Sequence, residues 1–451
     1  MRLAMENRED TQKLIEQVLH RCGSQAAEVI LVATDSALTR FAKNTIHQNV
    51  HERNTTLYLR LLDGKRLGIA SSNRLDPAGL DELVTRAQLF AKASREDADF
   101  PGFVADRKYT SVASFDPAVA TCSPKQRAVQ VSAVCRLAAE KALNASGAYS
   151  TSWQVTAIGN TNGAFACHAA SRAEFQTVVM GDDSSGHAES SGWRLEDVAV
   201  EALGGEAISK AELGRQPRKI EPGEYPVVLD PYATQDIVDG LDFYGMGANA
   251  IQEGWSWMND RLGEKVMDSQ VSIWDDGLDP EGNPLPFDYE GTPKQRVDIV
   301  RQGVLVGPVH DRRSAHKDGV ESSGHSLPPQ YRSFSPAATH LFMQPGEASL
   351  EDMLHSLRGG LYITRFWYTR LVHPRDCVVT GMTRDGVFMV EDGELAYAVK
   401  NLRFTQSYVQ TLAEIDAIGR ETRLLVENYG NIATRVPALQ LRRFNFTGST
   451  V

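Results

Sequence analysis

Cysteine is scarce: five residues in 451, at positions 22, 122, 135, 167 and 377, with no CxxC pair among them. An odd count spread so widely supplies no disulfide framework, and it fits a reducing compartment, so a cytoplasmic location is expected. Long apolar runs are missing too. Nowhere do about eighteen apolar residues follow one another, the length a membrane helix needs, so no membrane partner is expected. The opening MRLAMENREDTQ lacks the apolar core of a secretion leader. There is also no basic block. The 47 Lys and Arg against 58 Asp and Glu give a formal net charge of -11, which argues against a nucleic-acid partner, because backbone phosphates demand clustered cations. Three catalytic signatures are absent as well: the zinc helix HExxH or HExxxH, the GxSxG nucleophile turn and a complete phosphate loop, the glycines of GGLYITRF standing without its other parts.

What is present is 42% hydrophobic residues in a chain too long for one ordinary core. Leu14, Ile15, Val18 and Leu19 predict a helix from about Asp10 to His20, ended by Gly23. The stretch AEVILVATDSALTRFAKNTIHQNVHERNTTLYLRLLDGKRLGIASSN reads as strand broken by the turn pair Asp63-Gly64. Asp76-Pro77 opens a second helix, a third runs roughly from Lys125 to Leu143, and Asn162-Gly163 marks another hairpin. A boundary is expected near RQPRKIEPGEYPVVLDP, dividing the chain into an N-terminal domain of residues 1–215 and a C-terminal domain of residues 216–451. Beyond it come a helix over Tyr232 to Trp257 and three hairpin-like runs, IVRQGVLVGPV, LYITRFWYTRL and GVFMVEDGELAYAV. The stretch TQSYVQTLAEIDAIG then predicts a helix capped by Gly419, and VPALQLRRFNF a last strand. The fold class is α+β: an N-terminal antiparallel sheet with packed helices, followed by a strand-rich C-terminal domain.

Candidate chemistry is scattered. His51-Glu52 lies in a predicted strand with threonines at positions 55 and 56, so it reads as strand surface. Asp182, Asp183, His187 and Glu189 occupy GDDSSGHAESSGW, a small-residue segment read as a solvated hairpin or interdomain loop, without the oxygen spacing of a calcium loop. His310, His316, His325 and His340 form no compact ligand set, so only the fold can unite them. HDRRSAHKDG reads as a polar segment outside a strand, and Cys377, near His373, as a small apolar residue opening the strand CVVTG. The densest acidic stretch begins SIWDDGLDPEGNPLPFDYEG. Its Asp275, Asp276, Asp279, Glu281, Asp288 and Glu290 flank turns, where carboxylates accept backbone N–H groups and stiffen a loop without catalysing anything. No residue is assigned as catalytic, cofactor-binding or metal-ligating.

Several segments carry a resemblance. LGEKVMDSQVSIWDDG, PFDYEGTPKQRVDIVRQGVLVGPVHDRRSA, GLYITRF, GVFMVEDGEL and the late VPAL are similar to the TldD/PmbA family, once described as modulators of DNA gyrase and now linked to metallopeptidase activity. The front segment GKRLGIASSNRLDPAGLDELV resembles that family's amino-terminal domain. The resemblance implies two kinds of member, of which the TldD type binds zinc through HExxxH and a late cysteine. Here the corresponding positions are Asp239, Gly240 and Tyr244, and ENYGNIATRVPALQLRRFNF contains no cysteine. The chain therefore resembles the PmbA, or TldE, type. That implies a metal-free accessory subunit of a peptide-cleaving or peptide-processing complex, working as a homodimer or with a TldD-like partner. A divergent hydrolase with an unrecognised site and a non-enzymatic gyrase-associated regulator stand as the alternatives.

Overall fold

The computed structural model describes residues 8–427 and 432–449. The first seven residues, on which the expectation of a missing leader partly rests, lie outside the described residues, as do 428–431 of the ENYGN stretch. Helix α1 (Arg8–Arg21) buries Ile15 and Val18, the face their spacing predicts. Three strands follow, β1 (Ala27–Ala42), β2 (Thr45–Asp63) and β3 (Arg66–Ser72). In α2 (Pro77–Ala93) the Asp76 carboxylate accepts the Gly79 N–H and Pro77 takes the first turn. The short α3 (Pro117–Ala120) precedes α4 (Pro124–Glu140), which opens with a Ser123–Gln126 capping box. Then come β4 (Asn144–Asn160), β5 (Phe165–Met180), β6 (Ser185–Gly192) and α5 (Val200–Leu213).

These six strands make one antiparallel sheet in the order β3-β2-β1-β4-β5-β6. Period-two burial directs one face to the helices. Val29, Leu31, Leu57 and Leu59 meet Ile15 and Leu83 of α1 and α2, while Tyr149, Ala173 and Phe175 meet Val134 and Ala207 of α4 and α5. The other face turns to the second half of the chain, where Ile30, Ile158 and Ala166 pack on Phe287 and Tyr289.

That second half begins with β7 (Gly223–Leu229), α6 (Pro231–Leu241) and α7 (Ala248–Gln252). Short strands β8 (Ile273–Asp275), β9 (Val297–Arg301) and β10 (Val304–Leu305) lead to α8 (Arg312–Asp318), β11 (His340–Met343) and α9 (Leu350–Ser356). The long strands β12 (Gly359–His373) and β13 (Val378–Glu391) precede β14 (Glu394–Ala398), β15 (Leu402–Ser407) and α10 (Tyr408–Ala413). The chain closes with β16 (Ile415–Glu427) and β17 (Ile432–Ser449). Pairings run from β17 through β15, β13, β12 and β7 and back to β17, closing a ring of five strands. Phe366, Phe404, Phe444 and Phe446 stack in its core. The α+β class read from the sequence is the one observed.

Five local expectations need correction. The helix over Tyr232 to Trp257 stops at Leu241: residues Asp242–Met246 form a π turn in which Tyr244 and Gly245 leave helical geometry. The helix capped by Gly419 is only α10, because Ile415 and Ile418 bury against Leu441 and Leu439 of β17, and that cross-strand burial overrides helical propensity. LYITRFWYTRL is one strand, with a bulge at Tyr368 in place of a turn. HDRRSAHKDG contains α8, started by the Asp311–Ser314 capping box. An unforeseen hairpin turn at Lys43-Asn44, both at positive φ, separates β1 from β2.

Two charged clusters join the halves. On β2, the Arg60 side chain is only 4% exposed, donates to Glu28 at 2.7 Å and lies 3.5 Å from Glu290. Phe100 and Phe103 flank its guanidinium, and Glu290 also accepts from Arg332 at 2.9 Å. Beside the β6 edge of the sheet, Lys210 of α5 lies 2.8 Å from Glu206 and 3.2 Å from Asp230. Arg423 of β16 and Tyr232 of α6 also bond Glu206, and Tyr362 of β12 donates to Asp230. Removing one member of a buried pair leaves the other charged and unsolvated. Arg60→Ala is therefore expected to lower the unfolding free energy by about 3–5 kcal/mol. Arg53→Ala, taken from a half-exposed ion pair with Asp35, should cost about 1 kcal/mol or less. Chemical denaturation of both variants checks the contrast.

Candidate functional site

The acidic loop that stood out in the sequence folds inward. Asp276 and Asp279 accept the N–H groups of Leu278 and Glu281, the turn-stiffening role expected of them. Asp275, Asp288, Glu290 and Lys294 are buried. Asp275, at the end of β8, accepts from His325 Nε2 at 2.8 Å and from the His340 N–H at 2.6 Å, with Lys294 Nζ at 3.7 Å. Burial opposes its ionisation, yet Lys294 and His325 together hold its carboxyl well below the usual carboxylate range. Burial and the Lys294 charge lower both imidazoles, His340 to about 3, so both are neutral at ordinary pH.

A fifth member comes from the π turn. Asp242 accepts the Ala338 N–H at 2.9 Å through Oδ1, while the buried Oδ2 has no hydrogen-bond partner among the described residues. Burial, reinforced by the Asp275 charge, pushes its carboxyl up to about 8. The cluster thus sets an ionised aspartate near a protonated one, their environments pushing the two carboxyls in opposite directions. Beside it lies a cavity of about 70 Å³ between the two halves, lined by Gln154, Thr156 and His168 of the first sheet and by Lys294, Thr339 and His340 of the second half. Asp288 also borders it. Its oxygens accept the N–H groups of Glu290, Thr292 and Ser326, all at 2.9 Å, while burial and the Glu290 charge push its carboxyl up to about 7.

Of the four late histidines, the fold unites only His325 and His340. The His310 ring approaches Asp318 at 4.0 Å, and His316 is exposed on α8. His187 and Glu189, expected in a solvated loop, lie instead on β6 within the Lys210 cluster, His187 being 1% exposed and stacked edge-on against Tyr232. SGHAESSG carries no apolar alternation that would mark a strand, and its burial does not alternate either. His51 pairs with Asp35 on the strand surface. Cys377 is buried and pushed up to about 12, with His373 turned to Asp376, so no thiolate is prepared there. Sequence reasoning missed Asp242 and Lys294, which nothing in their immediate neighbours distinguishes.

The positions matched to a zinc helix have other work. Asp239 accepts from Thr434 at 2.5 Å. A Cβ at Gly240 would lie 2.8 Å from the ring of Tyr408, whose hydroxyl donates to the half-buried Asp236. Tyr244 is half-buried against the core, its phenol raised by burial. These three residues do not fit a zinc ion: there is no imidazole among them, and the Tyr408 ring crowds the place a glutamate would need. Among the described residues no three His, Cys, Asp or Glu side chains are grouped to hold a metal.

The aspartate cluster makes a sign-defined prediction. An unfolded aspartate ionises near pH 4 whereas folded Asp242 keeps its proton to about 8, so between these values the folded state binds more protons and this group costs stability as pH rises. Asp242→Asn removes that cost. Its stability relative to the parent chain should grow by roughly 1 kcal/mol per pH unit across that window. Asp275→Asn should instead be destabilising throughout, and denaturation at several pH values separates the two.

Comparison with known proteins supplies the family. Models of the PmbA/TldA metallopeptidase domain 1, central domain and C-terminal domain match residues 27–89, 124–214 and 222–448. The metalloprotease PmbA of Escherichia coli O157:H7 is 24% identical, the match covering 91% of this chain and 90% of that protein. The chain spans about half the length of other relatives, such as 53% of a metalloprotease from Methanothermobacter thermautotrophicus, 25% identical over 54% of this chain. The crystal structure of TldE from Thermococcus kodakarensis has the same fold, with a TM-score of 0.85 at 18% identity over 97% of this chain and 100% of that one. With family models matched over most of its length, on an architecture shared from end to end, the chain belongs to the TldD/PmbA family.

Proposed function

We propose that this chain is a metal-free accessory subunit of a peptide-cleaving or peptide-processing complex, in which a TldD-like partner carries the metal. The observation behind this reading is the helix α6 position where relatives of the TldD type would place a catalytic glutamate: it holds Gly240, and the buried Tyr408 ring fills the space above it. Asp239 and Tyr244 are likewise committed to Thr434 and to core packing. On this reading the chain contributes scaffold and chamber wall, through an N-terminal domain to about residue 215 and a strand-rich domain beyond it. No helix among the described residues is long and apolar enough to cross a membrane, and a cytoplasmic setting accords with the five free thiols. Self-pairing is the second form the assembly takes in this proposal.

One observation favours a second reading. Asp275, His325, His340, Lys294 and Asp242 assemble more titratable chemistry than a scaffold needs, which suits a divergent hydrolase. One experiment separates the two. Mixing the purified chain with a TldD-like partner should create or raise peptide cleavage several-fold, and inactivating the partner's metal-site glutamate should abolish it. Robust cleavage by this chain alone, surviving chelation and lost in Asp275→Asn, would replace the accessory reading with the hydrolase one.

A further inference from the structure

The cavity between the two halves has a floor that asks for an acceptor. Lys294 is buried, its side chain 2% exposed, and its ammonium makes one hydrogen bond among the described residues, to Thr339 Oγ1 at 3.0 Å. Its nearest carboxylate, Asp275, stands 3.7 Å away and is already occupied by His325 and the His340 N–H. An ammonium has three hydrogens to place, and leaving them unplaced in a buried site is costly. Both Lys294 and Thr339 line the cavity. The bordering Asp288 accepts three backbone N–H groups and makes no ion pair with Lys294 among the described residues. On the opposite wall Gln154 and Thr156 of β4 and His168 of β5 add neutral polar groups.

We infer that this interdomain cavity is a carboxylate-binding subsite, in which the Lys294 ammonium receives the carboxylate and the β4–β5 wall encloses the group that bears it. A chain segment has no room in so small a space, whereas an end group or a short acidic side chain does. The inference borrows from the peptide-processing reading only the kind of molecule that presents the carboxylate. The site itself stands on this chain's residues, and its test needs neither a partner nor cleavage.

The test is calorimetric titration of the full chain with N-acetyl-trialanine as the free acid and as its C-terminal amide, and with N-acetylglutamate α-amide. The free acid is expected to bind at least tenfold more tightly than the amide. Preference for the glutamate derivative over the free-acid peptide would assign the group to a side chain and still support the subsite. Two variants localise it. Lys294→Met should weaken carboxylate binding at least tenfold. Because that buried substitution can unsettle the fold, Ala170→Phe fills the cavity from β5 without altering the Lys294 contacts and should weaken binding to a similar degree. Equal affinity for acid and amide, no binding of any of the three probes, or undiminished binding by Ala170→Phe would overturn the inference.

Discussion

A guanidinium buried between two glutamates governs how the halves of this molecule meet. Arg60 belongs to the first sheet together with Glu28, whereas Glu290 belongs to the acidic loop of the second half. A buried ion pair is weak evidence for stability, since desolvation offsets much of the Coulombic gain, but it is exacting about geometry: neither partner tolerates being left alone. The Lys210 cluster imposes the same condition at the β6 edge of the sheet. With β2 held by Arg60 and the β6 edge by the Lys210 cluster, the strands β4 and β5 between them form a wall over the second half, and the polar cavity lies under that wall.

Helix α6 is tightly packed where the resemblance to TldD-type members places a metal helix. A glycine at position 240 lets the Tyr408 ring approach, and Tyr408 in turn is fixed by its hydroxyl on Asp236, a carboxylate that also accepts from Thr369. The space is therefore packed and hydrogen-bonded. Just past that helix the backbone bulges at Asp242, and titratable side chains gather there and behind the acidic loop. The polar investment of this chain has its centre at the seam between its halves.

Much of the architecture was legible in the sequence because it is decided locally. Asp76-Pro77 and Asn162-Gly163 state their cap and turn within a few residues, and the structure places them as read. The candidate site was not legible, because its contacts are decided at a distance. His325 and His340 reach Asp275 across 50 and 65 residues, brought there by the pairing of β8 with β11, which histidine spacing does not encode. Asp242 failed for a different reason: a helical pattern continues through Tyr232 to Trp257, and only tertiary contacts such as the Ala338 bond reveal where it breaks. The segment from Ile415 was misread because its burial comes from β17 and competes successfully with a good helical sequence.

We propose that packing of the Tyr408 ring on Gly240 closes the position where TldD-type members would hold their metal. Elemental analysis tests it most directly: the tag-free full chain is incubated with excess zinc, desalted and measured alongside a TldD-type relative treated identically. The account predicts that the relative retains zinc and this chain retains none in stoichiometric amount. One zinc held per chain through desalting, and lost when Asp239 or Tyr244 is replaced, would contradict it.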